Sequence, residues 1–188
     1  MGQYYNILMQ EEGKKQFKVY DRTINGEYTP EKLMEHSWYL NDMVNAISEK
    51  LYYKPHKIAW VGDYADDFEH YEKAWEYKKA ESLEHSHFTL NGRYLVNHTK
   101  KEYLDCWEYV CRVIRKNPNG SSWIIHPLPL LTAVGNGRGG GDFRGGIGEE
   151  FVGTWAWDTI EVVEYQAIEE LQRHGDDYKE LQIEFIEK

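Results

Sequence analysis

Short runs of apolar residues, broken by polar clusters, set the first half of the chain out as alternating strands and helices. Tyr4 to Met9 and Phe17 to Tyr20 favour β structure and flank Glu11-Glu12-Gly13-Lys14-Lys15, which predicts an opening hairpin. Thr29-Pro30 reads as an N-cap followed by proline at the first helical position, starting a short helix through Leu33 and Met34. A second helix begins near Asn41-Asp42, with Val44, Ile47 and Leu51 on one face. Ile58 to Val61 is a compact strand ending in Gly62-Asp63, and a helix from about Asp67 to Ala80 carries Phe68, Tyr71 and Trp75.

Further along, Tyr94 to Val96 predicts a strand and Asp105 to Lys116 a helix with Trp107, Val110, Cys111 and Ile114 as its buried stripe. Asn117-Pro118-Asn119-Gly120 is a turn, and Trp123 to Ile125 a strand leading into an extended Pro127-Leu128-Pro129. Residues 158–172 stay open: Trp155 to Val163 alternates as a strand does, whereas Ile160, Val163, Ala167, Ile168 and Leu171 fit a helix. Leu181 to Ile186 closes the chain as a strand. Val19 to Tyr28 and Val96 to Tyr103 echo one another as strand, polar turn and helix. With no regular βαβ rhythm, the expected fold is α+β. It is a single domain over 1–188, with a mixed or antiparallel sheet, several packed helices and a Gly-rich functional loop at about 135–148.

At 188 residues the chain is long enough to bury roughly 70% of its unfolded surface, so it needs no staple to fold. Charge narrows the partners. A net of −10 repels a phosphate backbone, so direct nucleic-acid binding is not expected, and a partner with a basic surface is. Seven Trp and fifteen Tyr suit core and interface alike. Cys106 and Cys111 stand five apart on a helix, on different faces, which implies reduced thiols and a cytoplasmic setting. No apolar run approaches the ~20 residues of a membrane span.

The compositional anomaly is Gly135 to Gly148, which holds eight of the chain's sixteen glycines. Such a run turns backbone N–H groups toward an anion, and Arg138 and Arg144 add guanidinium forks. The expected ligand-binding set is therefore Asn136, Arg138, Gly139, Gly140, Asp142 and Arg144, with His126 at the rim as a base or donor. A flexible solubilising loop and a structural histidine are the alternatives. Gly135, Gly137 and Gly140 match G-x-G-x-x-G, but no apolar helix follows and too little chain remains for a dinucleotide fold.

A second candidate site comprises Trp60, Asp63, Asp66 and His36. Carboxylates just past a strand end serve as ligands or bases, although Asp66 with Glu69 also fits a capping box, which leaves Asp63 free. His85 and His87 share one side of an extended Glu84-His85-Ser86-His87, a weak metal pair with no third ligand at a recognisable spacing. No metal, cofactor or complete catalytic motif is expected.

The strings Met1-Gly2-Gln3-Tyr4-Tyr5, Leu33-Met34-Glu35-His36-Ser37, Trp60 to Asp66 and His126 to Asp142 resemble a family of small uncharacterised phage and bacterial proteins. The resemblance implies an origin in a phage or mobile element, hence a host cytoplasm, and transfers no catalytic residue. Small size, acidity, abundant aromatics and no complete catalytic motif match the profile of anti-CRISPR-like inhibitors. The expected function is thus a non-enzymatic, anti-defence binding protein that engages a host protein. The alternative is a domain that binds a nucleotide or other phosphate-containing small molecule through the Gly/Arg-rich loop. A third option is an assembly protein with aromatics at a homo-oligomer interface.

Overall fold

The computed structural model describes residues 4–28, 32–63, 65, 81–116, 124–135 and 149–183. The expected helix at 67–80, the turn at 117–120 and the helix start at Thr29-Pro30 lie outside them.

The chain opens with β1 (Tyr5–Glu11) and β2 (Lys18–Ile24), the expected hairpin, in which Ile7 faces Tyr20. Asn25 and Gly26, both at positive φ, turn β2 into β3 (Glu27–Tyr28). Two such residues make the turn whose twist matches a hairpin. After α1 (Leu33–His36), Asn41 caps α2 (Asp42–Lys50) by accepting from the N–H groups of Met43 and Val44 at 3.0 and 3.3 Å. The strands β4 (His56–Gly62), β5 (Glu81–Leu83), β6 (Arg93–Asn97) and β7 (Glu102–Asp105) follow, and α3 (Cys106–Lys116) starts directly from β7.

Next come α4 (Pro127–Thr132), β8 (Ala133–Val134) and a 3-10 turn (Glu149–Phe151). The last elements are β9 (Thr159–Glu164), α5 (Tyr165–Arg173) and β10 (Lys179–Glu180). Among the described residues, the ten strands form one mixed sheet in the order β10-β7-β6-β9-β4-β1-β2-β3, with β5 on β2 and β8 on β4. The fold is α+β.

Alternation along the central strands explains how both faces are buried. Ile7 and Met9 on β1, Ile58 and Trp60 on β4 and Ile160 and Val162 on β9 point into the main core, with Val44 and Ile47 of α2 and Leu128 and Leu131 of α4. Their neighbours Leu8, Ala59 and Val61 fill a smaller cluster on the opposite face. There, α5 seats Ile168 against Val96 and Val163.

One open choice is settled and several expectations are corrected. Residues 158–172 hold both elements in succession, a strand to Glu164 and then a helix. The internal echo is a pair of hairpins, because Glu27-Tyr28 and Glu102-Tyr103 are strand residues rather than helix starts. Pro127 and Pro129 begin a helix instead of holding an extended segment. Their missing N–H groups fall in the first turn, where those donors have no partner inside the helix, and their fixed φ suits it. Finally, α3 buries Cys106, Tyr109 and Val110, while Trp107 and Ile114 are 49% and 53% exposed. Of the expected strand at 123–125, the described part is an isolated bridge from Ile125 to Trp38. At the C-terminus the described strand is Lys179–Glu180; Leu181 to Ile183 of the expected strand add one bond, from the Leu181 N–H to the Tyr103 carbonyl, and residues 184–186 lie outside the described residues.

Candidate functional site

Two of the expected site segments leave the sheet side by side. β4 carries β9 along its first two residues, whereas Trp60 and Val61 pair in parallel with Ala133 and Val134 of β8. The carboxyl ends of β4 and β8 are therefore neighbours, so Gly62-Asp63 and Gly135 emerge together. In sheets with adjacent parallel strands, the crevice outside the carboxyl ends is where ligands sit. The return path is anchored to the same elements. Gly153 donates its N–H to the Leu130 carbonyl at 2.9 Å, Trp155 to that of Leu131 at 2.7 Å and Trp157 to that of Ile58 at 2.8 Å. Trp155 is fully buried, and its indole N–H donates to Glu102 at 2.8 Å. The described chain on either side of the Gly-rich segment is thus tied to β4, α4 and β8. Asn136, Arg138, Gly139, Gly140, Asp142 and Arg144 lie outside the described residues, as does Asp66.

The other candidates resolve into structural roles. Trp60 is a core residue, with Ile7 of β1 and Ala133 of β8 as its register partners. Asp63 is exposed, but its side chain accepts from the Tyr4 N–H at 3.1 Å, and its own N–H donates to the Tyr4 carbonyl at 2.9 Å. It closes the β1–β4 ladder, so it is not the free carboxylate that the sequence suggested. His36 accepts from the Lys32 N–H through Nδ1 at 2.8 Å, and its ring lies 5.6 Å from that of Trp38.

His126 is 2% exposed, so it is an interior residue rather than the exposed base or donor that was expected. Its Nδ1 accepts from the Leu128 N–H at 3.1 Å, which makes it the N-cap of α4. Tyr39 stacks on its ring at 5.2 Å, and burial pushes the imidazole down to about 3. The cavity beside His36, bounded by Tyr5, Asn41 and Trp60, measures about 10 Å³ and has room for one water.

His85 and His87 do meet, with ring centroids 4.6 Å apart. Their carboxylate neighbour is Asp42 of α2, 3.1 Å from His85 Nδ1. Among the described residues, no three His, Cys, Asp or Glu side chains are arranged to hold a metal.

The feature missed in the sequence is where the charge sits. Residues 1–148 hold twenty Asp and Glu against nineteen Lys and Arg, and residues 149–188 twelve against three, so −9 of the −10 lies in the last forty positions. On the sheet, this region builds an acidic surface. Glu169 and Glu170 point outward from α5, and Asp177 and Glu180 are exposed in the segment that follows. That segment is clasped to the sheet by His98, whose Nδ1 meets the Tyr178 hydroxyl and whose Nε2 meets Glu161, both at 2.8 Å. Lys101 and Asp176 add an ion pair at 2.6 Å, whose hydrogen bond raises the lysine's pKa and lowers that of the acid. A running charge sum along the chain would have found this surface, which a chain-wide total hides.

No family model, curated protein or solved structure matches the chain. Among the described residues, no helix is long and apolar enough to cross a membrane.

Proposed function

We propose that this chain is a small, non-enzymatic binding protein that engages a host protein carrying a basic surface, through the acidic face of α5 and the segment after it. The observation that carries the reading is the concentration of charge: twelve acidic against three basic side chains in residues 149–188, beside a near-neutral remainder. A one-sided field of this kind steers a basic partner into register and rejects acidic ones, including bare nucleic acid. The strings that resemble those of small phage and bacterial proteins support a host factor as the partner class and antagonism of host defence as the outcome. Reversing Glu169, Glu170 and Asp177 to lysine changes only exposed side chains, so the fold should stand. Basic host proteins retained by the native chain in low salt should bind the triple variant at least about tenfold more weakly. Retention indifferent to both salt and charge reversal would sink the reading.

A second reading has its own support in the paired carboxyl ends of β4 and β8, from which the Gly-rich segment starts. Here the loop N–H groups with Arg138 and Arg144 hold the phosphate of a nucleotide or other small molecule. A thermal-shift panel of nucleotides, cyclic dinucleotides and sugar phosphates tests it. A ligand at 100 times its Kd adds about 2.7 kcal/mol, a rise of several degrees that Arg138→Ala should abolish without lowering the unliganded Tm. A flat panel removes this reading and leaves the first.

A further inference from the structure

α3 carries two apolar arcs. Cys106, Tyr109 and Val110 face the core, with Val113 packed against it. The second arc, Trp107, Cys111 and Ile114, repeats at i, i+4 and i+7 on the flank of the helix. Two of its members are about half exposed. Spacing of this kind is the pattern of a helix–helix seam.

The residues beside the seam say which partner. Glu108 and Arg115 border it on the solvent side, and on their own helix they are joined at 2.9 Å. When two helices pack antiparallel about a two-fold axis, residue i meets the residue equally far beyond the centre on the other copy. Trp107 and Ile114 are balanced about a point between Val110 and Cys111. Glu108 and Arg115 are balanced about a point between Cys111 and Arg112. The two centres differ by one residue, about 1.5 Å of helix rise. A single two-fold at Cys111, midway between them, brings each Trp107 to within one residue of the level of the other copy's Ile114, and each Glu108 as close to the other copy's Arg115. Large apolar side chains and opposite charges find their complements in the same pose. A foreign partner would need no such symmetry.

We propose that α3 is a homodimer interface, an antiparallel pairing of two copies of this chain centred on Cys111. An eleven-residue helix is about 16 Å long and covers less than the ~800 Å² a side of a standard interface, so self-association is expected to be weak.

Sedimentation of the full chain over a concentration series tests this directly. The native protein should shift from monomer toward dimer, and Ile114→Glu, which sets carboxylates in the seam, should remain monomeric. Glu108→Arg alone should weaken the dimer. Arg115→Glu alone should weaken it too, and mixing the two single variants should restore pairing between unlike chains, which the ion pair within one helix, broken in both, would not do. Cys106 is fully buried and Cys111 is not, so a bismaleimide should link two native chains and fail on Cys111→Ser. A monomer at every concentration overturns the proposal. So does a dimer that ignores Ile114→Glu and cannot be linked through Cys111. Circular dichroism on each variant separates lost pairing from lost fold, and the mixture of the Glu108 and Arg115 single variants decides the matter if Ile114→Glu unfolds.

Discussion

Gly153→Ala should cost about 3–5 kcal/mol of stability and lower the Tm by roughly 10 °C. Gly153 sits at φ +71°, where an alanine is strained by about 1–2 kcal/mol before any contact is counted. A Cβ there would also stand 2.3 Å from the Ala133 carbonyl oxygen. That oxygen is backbone in β8, which is paired to β4, so it has no rotamer by which to move away. The strain must instead open the bonds from Gly153 to Leu130 and from Trp155 to Leu131, worth about 1 kcal/mol each. Gly92→Ala is the control. It shares the left-handed backbone at φ +73°, with nothing within 4 Å of the added carbon. It should lose about 1–2 kcal/mol, and the difference between the two variants measures the close approach. Equal losses would mean that the return of the Gly-rich segment onto α4 and β8 is not held as described.

Where periodicity was strict and a local signal agreed with it, the fold was legible in the sequence. β1, β2 and β4 are short β-favouring runs bounded by polar or turn residues, and α2 joins an Asn41 cap to a Val44-Ile47-Leu51 face. Where it failed, two solutions shared one pattern. In α3 the period was right and the phase was wrong, because the helix carries two apolar arcs and spacing alone does not say which one meets the sheet. Residues 158–172 satisfied both a strand and a helix because they contain one after the other. The prolines of α4 signalled extended backbone, although at a helix start the same fixed φ is helical.

The candidate site was less legible for a different reason. Asp63, His36 and His126 are polar residues whose partners are backbone N–H groups: those of Tyr4, Lys32 and Leu128. Composition cannot distinguish a side chain that satisfies the local backbone from one held ready for a ligand. The pairing of β8 with β4, which brings Gly135 beside Gly62-Asp63, spans more than seventy residues of chain and leaves no local trace. By contrast, the acidic surface of α5 was written in the order of charges and needed only a sum by segment.

The buried cap of α4 should make the domain lose stability as the pH falls below about 6.5. Burial holds the His126 imidazole at about 3 in the folded chain, against an ordinary value of 6.5. Above pH 6.5 neither state takes up a proton at this residue, so its contribution is flat. Below that pH the unfolded chain binds a proton that the folded chain refuses, and unfolding gains about 1.4 kcal/mol per pH unit until the folded pKa is reached. The loss between pH 6.5 and pH 5 is then about 2 kcal/mol. Protonation would also convert Nδ1 from the acceptor of the Leu128 N–H into a donor facing it, so the cap and the titration are one property. His126→Asn isolates that property, because asparagine supplies a capping oxygen and carries no titratable group. Urea unfolding of both proteins at pH 7, 6 and 5 should give a slope with pH that is steeper in the native chain by about 1 kcal/mol per unit once the pH is below 6. Groups that titrate elsewhere, such as Asp176 with its lowered carboxyl, act on both proteins and cancel in the comparison. Parallel slopes would mean that the folded state accepts the proton, and that His126 is reached by water at the very point where the chain turns toward its Gly-rich segment.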